Sequence, residues 1–151
     1  MFVTTDDNVQ LYVESEGQGT PILFIHEFGG NYDSWQPQVH YFSRRYRCLT
    51  YAARGYPPSD IPSQPEAYSQ QRAVRDALAV LDGLGIDKAH IVGLSMGGFS
   101  ALHFGLMAPE RALSLTIAGA GYGCEPEHED YFRNVSLQVA ENFARQGAHE
   151  F

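Results

Sequence analysis

The stretch Ile91-Val92-Gly93-Leu94-Ser95-Met96-Gly97-Gly98 says more about the fold than any other part of the chain. It places one serine between two glycines, after an apolar run typical of a buried strand and before residues that favour a helix. Where a strand turns into a helix within about one residue, the central residue is strained and its side chain stands above the sheet. Glycines two residues before and after prevent collisions in so sharp a turn. The stretch therefore predicts that the Ser95 side chain stands above the sheet at the end of a strand.

The rest of the chain alternates strand patterns with helix patterns. Residues 9–13 alternate apolar and polar side chains, as in a half-exposed strand. Continuous apolar runs predict buried strands at residues 21–26, 47–52 and 113–120. Helical spacing predicts helices between the strands, with Asp33 and Ser69 as caps. It also predicts a helix after Ser95 and a last helix, from the apolar residues Phe99, Leu102 and Leu106 and then Phe132, Val135, Val139 and Phe143.

This alternation predicts an α/β fold with a mainly parallel sheet and helices on both faces. Side chains that follow parallel strands meet at the carboxyl edge of the sheet, where such folds bind their ligands. The residues expected at that edge are His26, Arg54, Ser95 and Tyr122. We expect residues 1–122 to form the core, and residues 123–151 to begin a helical lid over that edge.

The amino-acid composition narrows the binding partners of the protein and the cellular compartment in which we expect it to function. The 151 residues include 10 basic and 18 acidic side chains, a net charge of −8, which disfavours nucleic acid and acidic membranes as partners. A run of 18 apolar residues is absent, and the two cysteines, Cys48 in a strand and Cys124 in a loop, fit a reduced, cytoplasmic setting. No metal-ligand spacing or phosphate-binding loop occurs, so we expect neither a metal nor a cofactor.

Three motifs in this order resemble the α/β-hydrolase family, in its serine esterase-like branch with a lid. They are residues 26–30, Arg54-Gly55-Tyr56 with Ser59, and residues 93–98. The resemblance runs from about residue 9 to residue 120, so it covers an amino-terminal portion of the family's fold. It implies that Ser95 is the nucleophile and that the backbone amides of Phe28 and Met96 form an oxyanion hole. Phe99 and Tyr122 are expected to line the substrate pocket.

The identity of residue 95 narrows the chemistry that the resemblance implies. Haloalkane dehalogenases and epoxide hydrolases of the same fold carry an aspartate at this position, so Ser95 argues against both. The resemblance implies a hydrolase that acts on a small, apolar, ester-like substrate through an acyl-enzyme. Thioester, lactone, amide and carbon–carbon bond hydrolysis remain open, because each passes through a tetrahedral oxyanion. A non-catalytic module that binds a small ligand is the alternative.

The chain departs from the family pattern at two places. Glu27 occupies a usual glycine position, and we expect its carboxylate to turn away from the oxyanion site, toward Arg54. The triad acid and histidine of the family follow the nucleophile, yet none of the six histidines follows a later strand. We therefore expect that Phe151 is not the natural end of the functional protein and that this chain alone is inactive. We also expect the strand at 113–120 to be an edge strand with an apolar face and no covering helix, open to self-association or to a missing carboxyl-terminal portion.

Overall fold

Six strands form one sheet in the order β1-β2-β4-β3-β5-β6. They are β1 (Phe2–Thr4), β2 (Gln10–Glu16), β3 (Thr20–Ile25), β4 (Tyr46–Tyr51), β5 (Ala89–Leu94) and β6 (Ala112–Ala118). The pairs β1–β2 and β2–β4 are antiparallel, whereas β4–β3, β3–β5 and β5–β6 are parallel. The predicted α/β fold with a mainly parallel sheet is confirmed. The sequence patterns missed β1, because three residues are too few to show an alternation.

The structure, a computed structural model, describes residues 1–121 and 125–147, and the chain divides into the units Met1–Ala120 and Gly121–Phe151. The helices are α1 (Gln36–Phe42), α2 (Gln70–Gly83), α3 (Met96–Met107) and α4 (Glu129–Gln146). The first unit holds the sheet with α1 to α3, and the second holds α4. The predicted helix in the last part of the chain is confirmed, and its role as the start of a lid stays a prediction. Over the described ranges, no helix has both the length and the apolar character to cross a bilayer.

The sheet is covered on both faces, and successive residues of β3 separate the two cores. Leu23 and Ile25 pack in a cluster with buried residues of α2 and α3. Ile22 and Phe24 pack on the other face, with Trp35 and α1. The Phe24 and Trp35 ring centroids lie 5.1 Å apart and Trp35 is buried, so Trp35 is a core residue. This two-sided burial explains why the central strands are continuous apolar runs.

The caps of the first two helical segments differ in how well the sequence predicted them. Ser69 caps α2 as predicted, its side chain accepting a hydrogen bond from the Arg72 amide at 3.0 Å. The cap predicted at Asp33 is wrong. A 3-10 turn (Tyr32–Trp35) precedes α1, and its cap is Asn31, whose Oδ1 accepts from the Asp33 amide at 2.7 Å. The short 3-10 turn shifts the start of the helical segment, which the apolar spacing does not reveal.

Helix α3 is where the sequence placed it, but it buries different residues from the apolar ones that defined its spacing. Gly97, Ala101 and Phe104 are buried, whereas Leu102 and Leu106 are exposed. Small side chains let the helix approach the sheet closely, and a Cβ on Gly105 would overlap the side chain of Leu115 on β6. The close approach is the reason that small residues such as Gly97 and Ala101 share the buried face with Phe104, while the leucines lie outside it.

Strand β6 is the edge of the sheet within the described residues. Its apolar side chains Leu113, Leu115 and Ile117 are 39–46% exposed. We expected this strand to lack a covering helix, and that is wrong in part, because Leu115 packs against α3 at Gly105. The remaining exposed edge carries unpaired backbone groups beside apolar side chains, which is the combination that favours pairing with another strand.

We expect the 151-residue polypeptide to self-associate through β6. Ile117→Lys should shift the chain toward monomer, because a charge on an edge strand opposes pairing. Sedimentation velocity over a concentration series measures the effect. Ile61→Lys is the matched control, since Ile61 is also an exposed isoleucine but lies outside the sheet. A parent chain that stays monomeric throughout the series contradicts this expectation.

Candidate active site

Ser95 connects β5 to α3 as a single residue and takes a strained backbone conformation. Its φ and ψ are 52° and −113°, and it is one of two non-glycine residues with positive φ within the described ranges. Such a conformation costs on the order of 1 to 3 kcal/mol and persists only where the surroundings hold it. Here the Ser95 amide donates to the Ala118 carbonyl at 2.8 Å, and its carbonyl accepts from the Phe99 amide at 3.0 Å. The predicted strand–serine–helix turn is therefore observed.

The glycines around Ser95 are required by close backbone approaches. A Cβ on Gly93 would overlap the carbonyl of Gly97, and a Cβ on Gly97 would overlap the carbonyl of Ile25 at the end of β3. A Cβ on Gly98 would lie 2.8 Å from the Ala118 carbonyl oxygen. The first turn of α3 thus packs directly against the ends of β3 and β6. This packing brings Ser95 beside the segment that follows β3.

The hydroxyl of Ser95 makes no capping hydrogen bond at the start of α3. Serine is a favoured cap residue, and a capping hydroxyl would accept a hydrogen bond from the first turn. Ser95 occupies the cap position of α3 without making that bond. The amide of Met96 opens the helix, and by helix geometry it has no acceptor within the helix. A hydroxyl and an amide donor are therefore both available at this turn.

His26, the first residue after β3, is fully buried and joins two loops. Its Nδ1 lies 2.8 Å from the Glu27 carbonyl oxygen, and its Nε2 lies 3.1 Å from the Ala53 amide nitrogen. Because an amide can only donate, Nε2 accepts and Nδ1 carries the proton. Burial lowers the pKa of His26, which agrees with a neutral ring. The histidine therefore fixes the peptide group that joins Glu27 to Phe28. The N–H of this peptide group is the backbone amide of Phe28.

Tyr56 follows β4 and lies over the same segment. Its hydroxyl donates to the Phe28 carbonyl at 2.9 Å and lies 3.7 Å from Met96 Sδ. Its ring packs edge-on against His26, with centroids 4.6 Å apart. Burial, with the nearby charge of Glu27, raises the pKa of Tyr56 to about 12, so the hydroxyl keeps its proton at neutral pH. The sequence showed Tyr56 only as part of a motif and did not predict these contacts.

Comparison with known proteins agrees with this geometry. A family model described as alpha/beta hydrolase fold matches residues 20–147. This chain belongs to the α/β-hydrolase family. It is 36% identical over 122 residues to 3-oxoadipate enol-lactonase 1 of Acinetobacter baylyi, covering 80% of this chain and 45% of that protein. It is 34% identical over 110 residues to epoxide hydrolase 2 of Siraitia grosvenorii, covering 72% of this chain and 35% of that protein.

A solved structure supports the same assignment. The crystal structure of a hydrolase from Pseudomonas aeruginosa PA01 superposes with a TM-score of 0.80 at 28% identity, covering 96% of this chain and 55% of that one. The chain thus spans less than half the length of the two curated relatives named above. The resemblance drawn from the three sequence motifs is confirmed.

Arg54 of this α/β hydrolase is the centre of a buried ionic network, and it does not pair with Glu27 as expected. Its guanidinium binds Asp76 on α2 through two bonds of 2.6 and 2.7 Å and Asp7 through two bonds of 2.9 and 3.1 Å. A fifth bond of 2.9 Å goes to the Ala67 carbonyl. All five N–H donors of an arginine are then in use. A carboxylate on the inward face of α2 was the signal for this pair, since buried acids require a partner.

The Glu27 side chain instead contacts residues of its own loop, Gly30 and Ser34. Its Oε1 accepts from the Ser34 hydroxyl at 2.9 Å, and a Cβ on Gly30 would overlap the carboxylate. Its Oε2 is buried and has no hydrogen-bond partner within residues 1–121 and 125–147. The expectation that this side chain points away from the oxyanion site stays a prediction, whereas its pairing with Arg54 is wrong. The reason is that two aspartates, distant in sequence, saturate the arginine.

The other predicted site residues are distributed as follows. Phe28 is 53% exposed on the segment held by His26 and Tyr56, and Met96 and Phe99 are half-buried at the start of α3. Tyr122, like Cys124, lies outside the described residues.

Cys48 is buried in the sheet as predicted, and burial raises the pKa of its thiol to about 11. Among the described residues, no three potential metal-ligating side chains lie together.

Ser95→Gly should be more stable than Ser95→Ala by about 1 kcal/mol in the free energy of unfolding, after allowing for the greater chain entropy of glycine. Both changes remove the hydroxyl, and only the first removes the Cβ that strains this positive-φ position. Urea unfolding followed by the fluorescence of Trp35, the single tryptophan, measures the difference. Equal stability of the two variants would show that the turn carries no such strain.

Asp7→Asn should lower the free energy of unfolding by about 1 to 2 kcal/mol at neutral pH. The hydrogen bonds from Arg54 hold the pKa of Asp7 well below its usual range. The stability from this carboxylate is therefore fully present above the unfolded pKa, near 4, and declines as the pH falls further. Urea unfolding at several pH values should show the two proteins converging in acid.

Asp87→Asn is the matched control for that series, because Asp87 is exposed and its side chain makes no ion pair within the described residues. It removes the same charge and should change the stability little at any pH. A constant difference between Asp7→Asn and the parent down to low pH would refute the assignment of the ionic contribution.

Proposed function

We propose that this α/β hydrolase cleaves a small, apolar carboxylic ester or lactone through an acyl-enzyme on Ser95. The observation that carries the proposal is the Ser95 turn. Ser95 occupies the cap position of α3 without a capping hydrogen bond, in a strained backbone conformation beside the segment after β3. Strain of this kind is retained where it serves a site, and a strand-to-helix serine turn presents a nucleophile.

The proposed oxyanion hole consists of the backbone amides of Met96 and Phe28. Met96 opens α3, where the amides point outward along the helix axis, and Phe28 lies on the segment that the first turn of α3 approaches through Gly97. Attack on an ester carbonyl moves negative charge onto oxygen, and fixed amide donors stabilise that charge without reorganising. Loss of one such donor costs on the order of 3 kcal/mol in the transition state.

The proposed cycle has two halves. The Ser95 oxygen bonds to the carbonyl carbon while its proton passes to a base, and the carbonyl electron pair becomes the oxyanion. The intermediate collapses, the leaving oxygen departs with that proton, and an acyl-serine remains. Water then repeats the sequence and releases the acid. We propose that the base and its orienting acid lie outside these 151 residues, so that this chain alone retains only the residual rate that binding and the oxyanion hole provide.

The two relatives bear differently on the substrate class. The likeness to an enol-lactonase supports an ester or lactone. The likeness to an epoxide hydrolase supports the fold, but the serine at position 95 argues against the alkyl-enzyme chemistry that an aspartate there would perform. Carbon–carbon bond hydrolysis by the same serine is the second enzymatic candidate. The proposal needs no cofactor.

We also propose that the protein functions in the cytoplasm. Support comes from the free, buried Cys48, which suits a reducing compartment, and from the net charge of −8, which opposes binding to acidic membranes.

Labelling tests the nucleophile. In the complete protein, a fluorophosphonate should attach to Ser95, and peptide mapping should locate it there. Ser95→Ala should abolish labelling and lower kcat/KM for short aryl esters and small lactones at least about 1000-fold. Ser114→Ala is the control, because Ser114 is exposed on β6 and its hydroxyl bonds only His90 within the described part of the chain.

The outcomes separate the candidates. Labelling that survives Ser95→Ala contradicts the proposal. Ligand binding without labelling or turnover supports the non-catalytic module. Labelling of Ser95 with no ester or lactone turnover, but with cleavage of a vinylogous diketone, supports the carbon–carbon bond hydrolase instead.

A further inference from the structure

The Tyr56 hydroxyl lies between the two residues whose amides form the proposed oxyanion hole. It is 2.9 Å from the Phe28 carbonyl oxygen and 3.7 Å from Met96 Sδ. A phenol has one proton, and a carbonyl oxygen is a much stronger acceptor than a thioether sulfur. The proton therefore goes to Phe28, and the sulfur contributes a packing contact. One oxygen atom of Tyr56 thus touches both sides of the proposed hole.

The segment that carries Phe28 needs such a restraint. It reads Phe28-Gly29-Gly30, and two consecutive glycines give the backbone wide conformational freedom. A Cβ on Gly29 would meet no atom within 4 Å, and Phe28 is largely exposed. The bond across the turn from the Gly30 amide to the Glu27 carbonyl is long, at 3.4 Å. The backbone hydrogen bond that closes this turn is therefore weak.

Two side chains restrain the peptides on either side of the Phe28 Cα. The carbonyl of the preceding peptide accepts from His26 Nδ1, and the carbonyl of the following peptide accepts from the Tyr56 hydroxyl. The direction of the Phe28 amide depends on the torsion angles between these peptides. Holding both carbonyls therefore aims the amide, and a hydrogen bond at the carbonyl of the first peptide also polarises its N–H.

Tyr56 lies in the loop after β4, which several hydrogen bonds hold in place. Its amide donates to the Ala53 carbonyl at 3.0 Å, and its carbonyl accepts from the Ser59 amide at 3.0 Å. The Ser59 hydroxyl bonds the Ala52 carbonyl at 2.6 Å, and Arg54 makes its five bonds from the same loop. The loop after β4 is therefore tied down, and Tyr56 extends that rigidity to the glycine segment after β3.

We propose that Tyr56 is a positioning residue of the oxyanion hole, a role that rests on the proposed function of Ser95. It holds the Phe28 amide in its donor geometry before the substrate binds. Donors that are already aimed stabilise the oxyanion without reorganising, and misplacing a group by about 1 Å can cost about 100-fold in rate. Removing the hydroxyl should weaken binding of the transition state more than binding of the substrate.

Tyr56→Phe keeps the ring against His26 and deletes one oxygen. Tyr68→Phe is the matched control, because Tyr68 lies against Gly55 of the same loop, yet its hydroxyl donates to the Pro62 carbonyl at 2.8 Å and not to the Phe28 segment. Both variants are compared with the parent in the complete protein. The measurements are the second-order rate constant for fluorophosphonate labelling of Ser95, kcat and KM for an ester that the parent turns over, and 15N order parameters of the Phe28 to Gly30 amides.

We expect Tyr56→Phe to slow labelling and lower kcat by on the order of 10-fold, with KM nearly unchanged. The order parameters of the glycine segment should fall at the same time. Tyr68→Phe should match the parent in every measurement. This combination supports the proposal, since a purely structural role would not separate kcat from KM.

Three results overturn it. Parent-like labelling of Tyr56→Phe removes the positioning role, even if the segment becomes more mobile. Equal losses in both tyrosine variants show a general effect of losing a hydroxyl. Failure of the parent itself to label at Ser95 overturns the proposed function together with this catalytic role, and the order parameters then report whether Tyr56 holds the segment.

Discussion

The close approach between the first turn of α3 and the end of β3 is the constraint on which the rest of this structure depends. Gly97 lies so near the Ile25 carbonyl that no side chain fits between them. This contact forces the reversal from β5 to α3 to occur at one residue, and the reversal places Ser95 in its positive-φ conformation. The same contact brings the start of the helix to the segment that carries Phe28. The placement of the glycines and the position of the candidate nucleophile thus both reflect this close packing.

The parts that the sequence predicted well are those set by neighbouring residues. The Ser95 turn, the buried central strands and the Ser69 cap each arise within a few residues, so local patterns contain them. The parts that it did not predict arise between distant residues. Asp7 and Asp76 reach Arg54 across 47 and 22 positions, and Glu27, the partner expected from the sequence, lies at an intermediate separation. Charge alone does not distinguish between them.

The sequence did not predict the buried face of α3 for a related reason. Apolar spacing marks the large side chains, yet a helix that lies close to its sheet buries small residues at the points of closest approach. Gly97 and Ala101 are buried while Leu106 is exposed. The functional contacts of Tyr56 were equally out of reach, because a tyrosine in a loop motif gives no indication of which carbonyl its hydroxyl will bond. Only the fold brings the loops after β3 and β4 together at one edge.

Cys48 can serve as a natural probe of local opening in the core of this fold. The thiol lies in the core between the sheet and α1, and its high pKa keeps it protonated and poorly nucleophilic. An alkylating reagent can reach it only when the packing around the central strands opens. The alkylation rate of the Cys48 thiol therefore measures how often the packing around the central strands opens locally. Equilibrium unfolding experiments do not report this local opening.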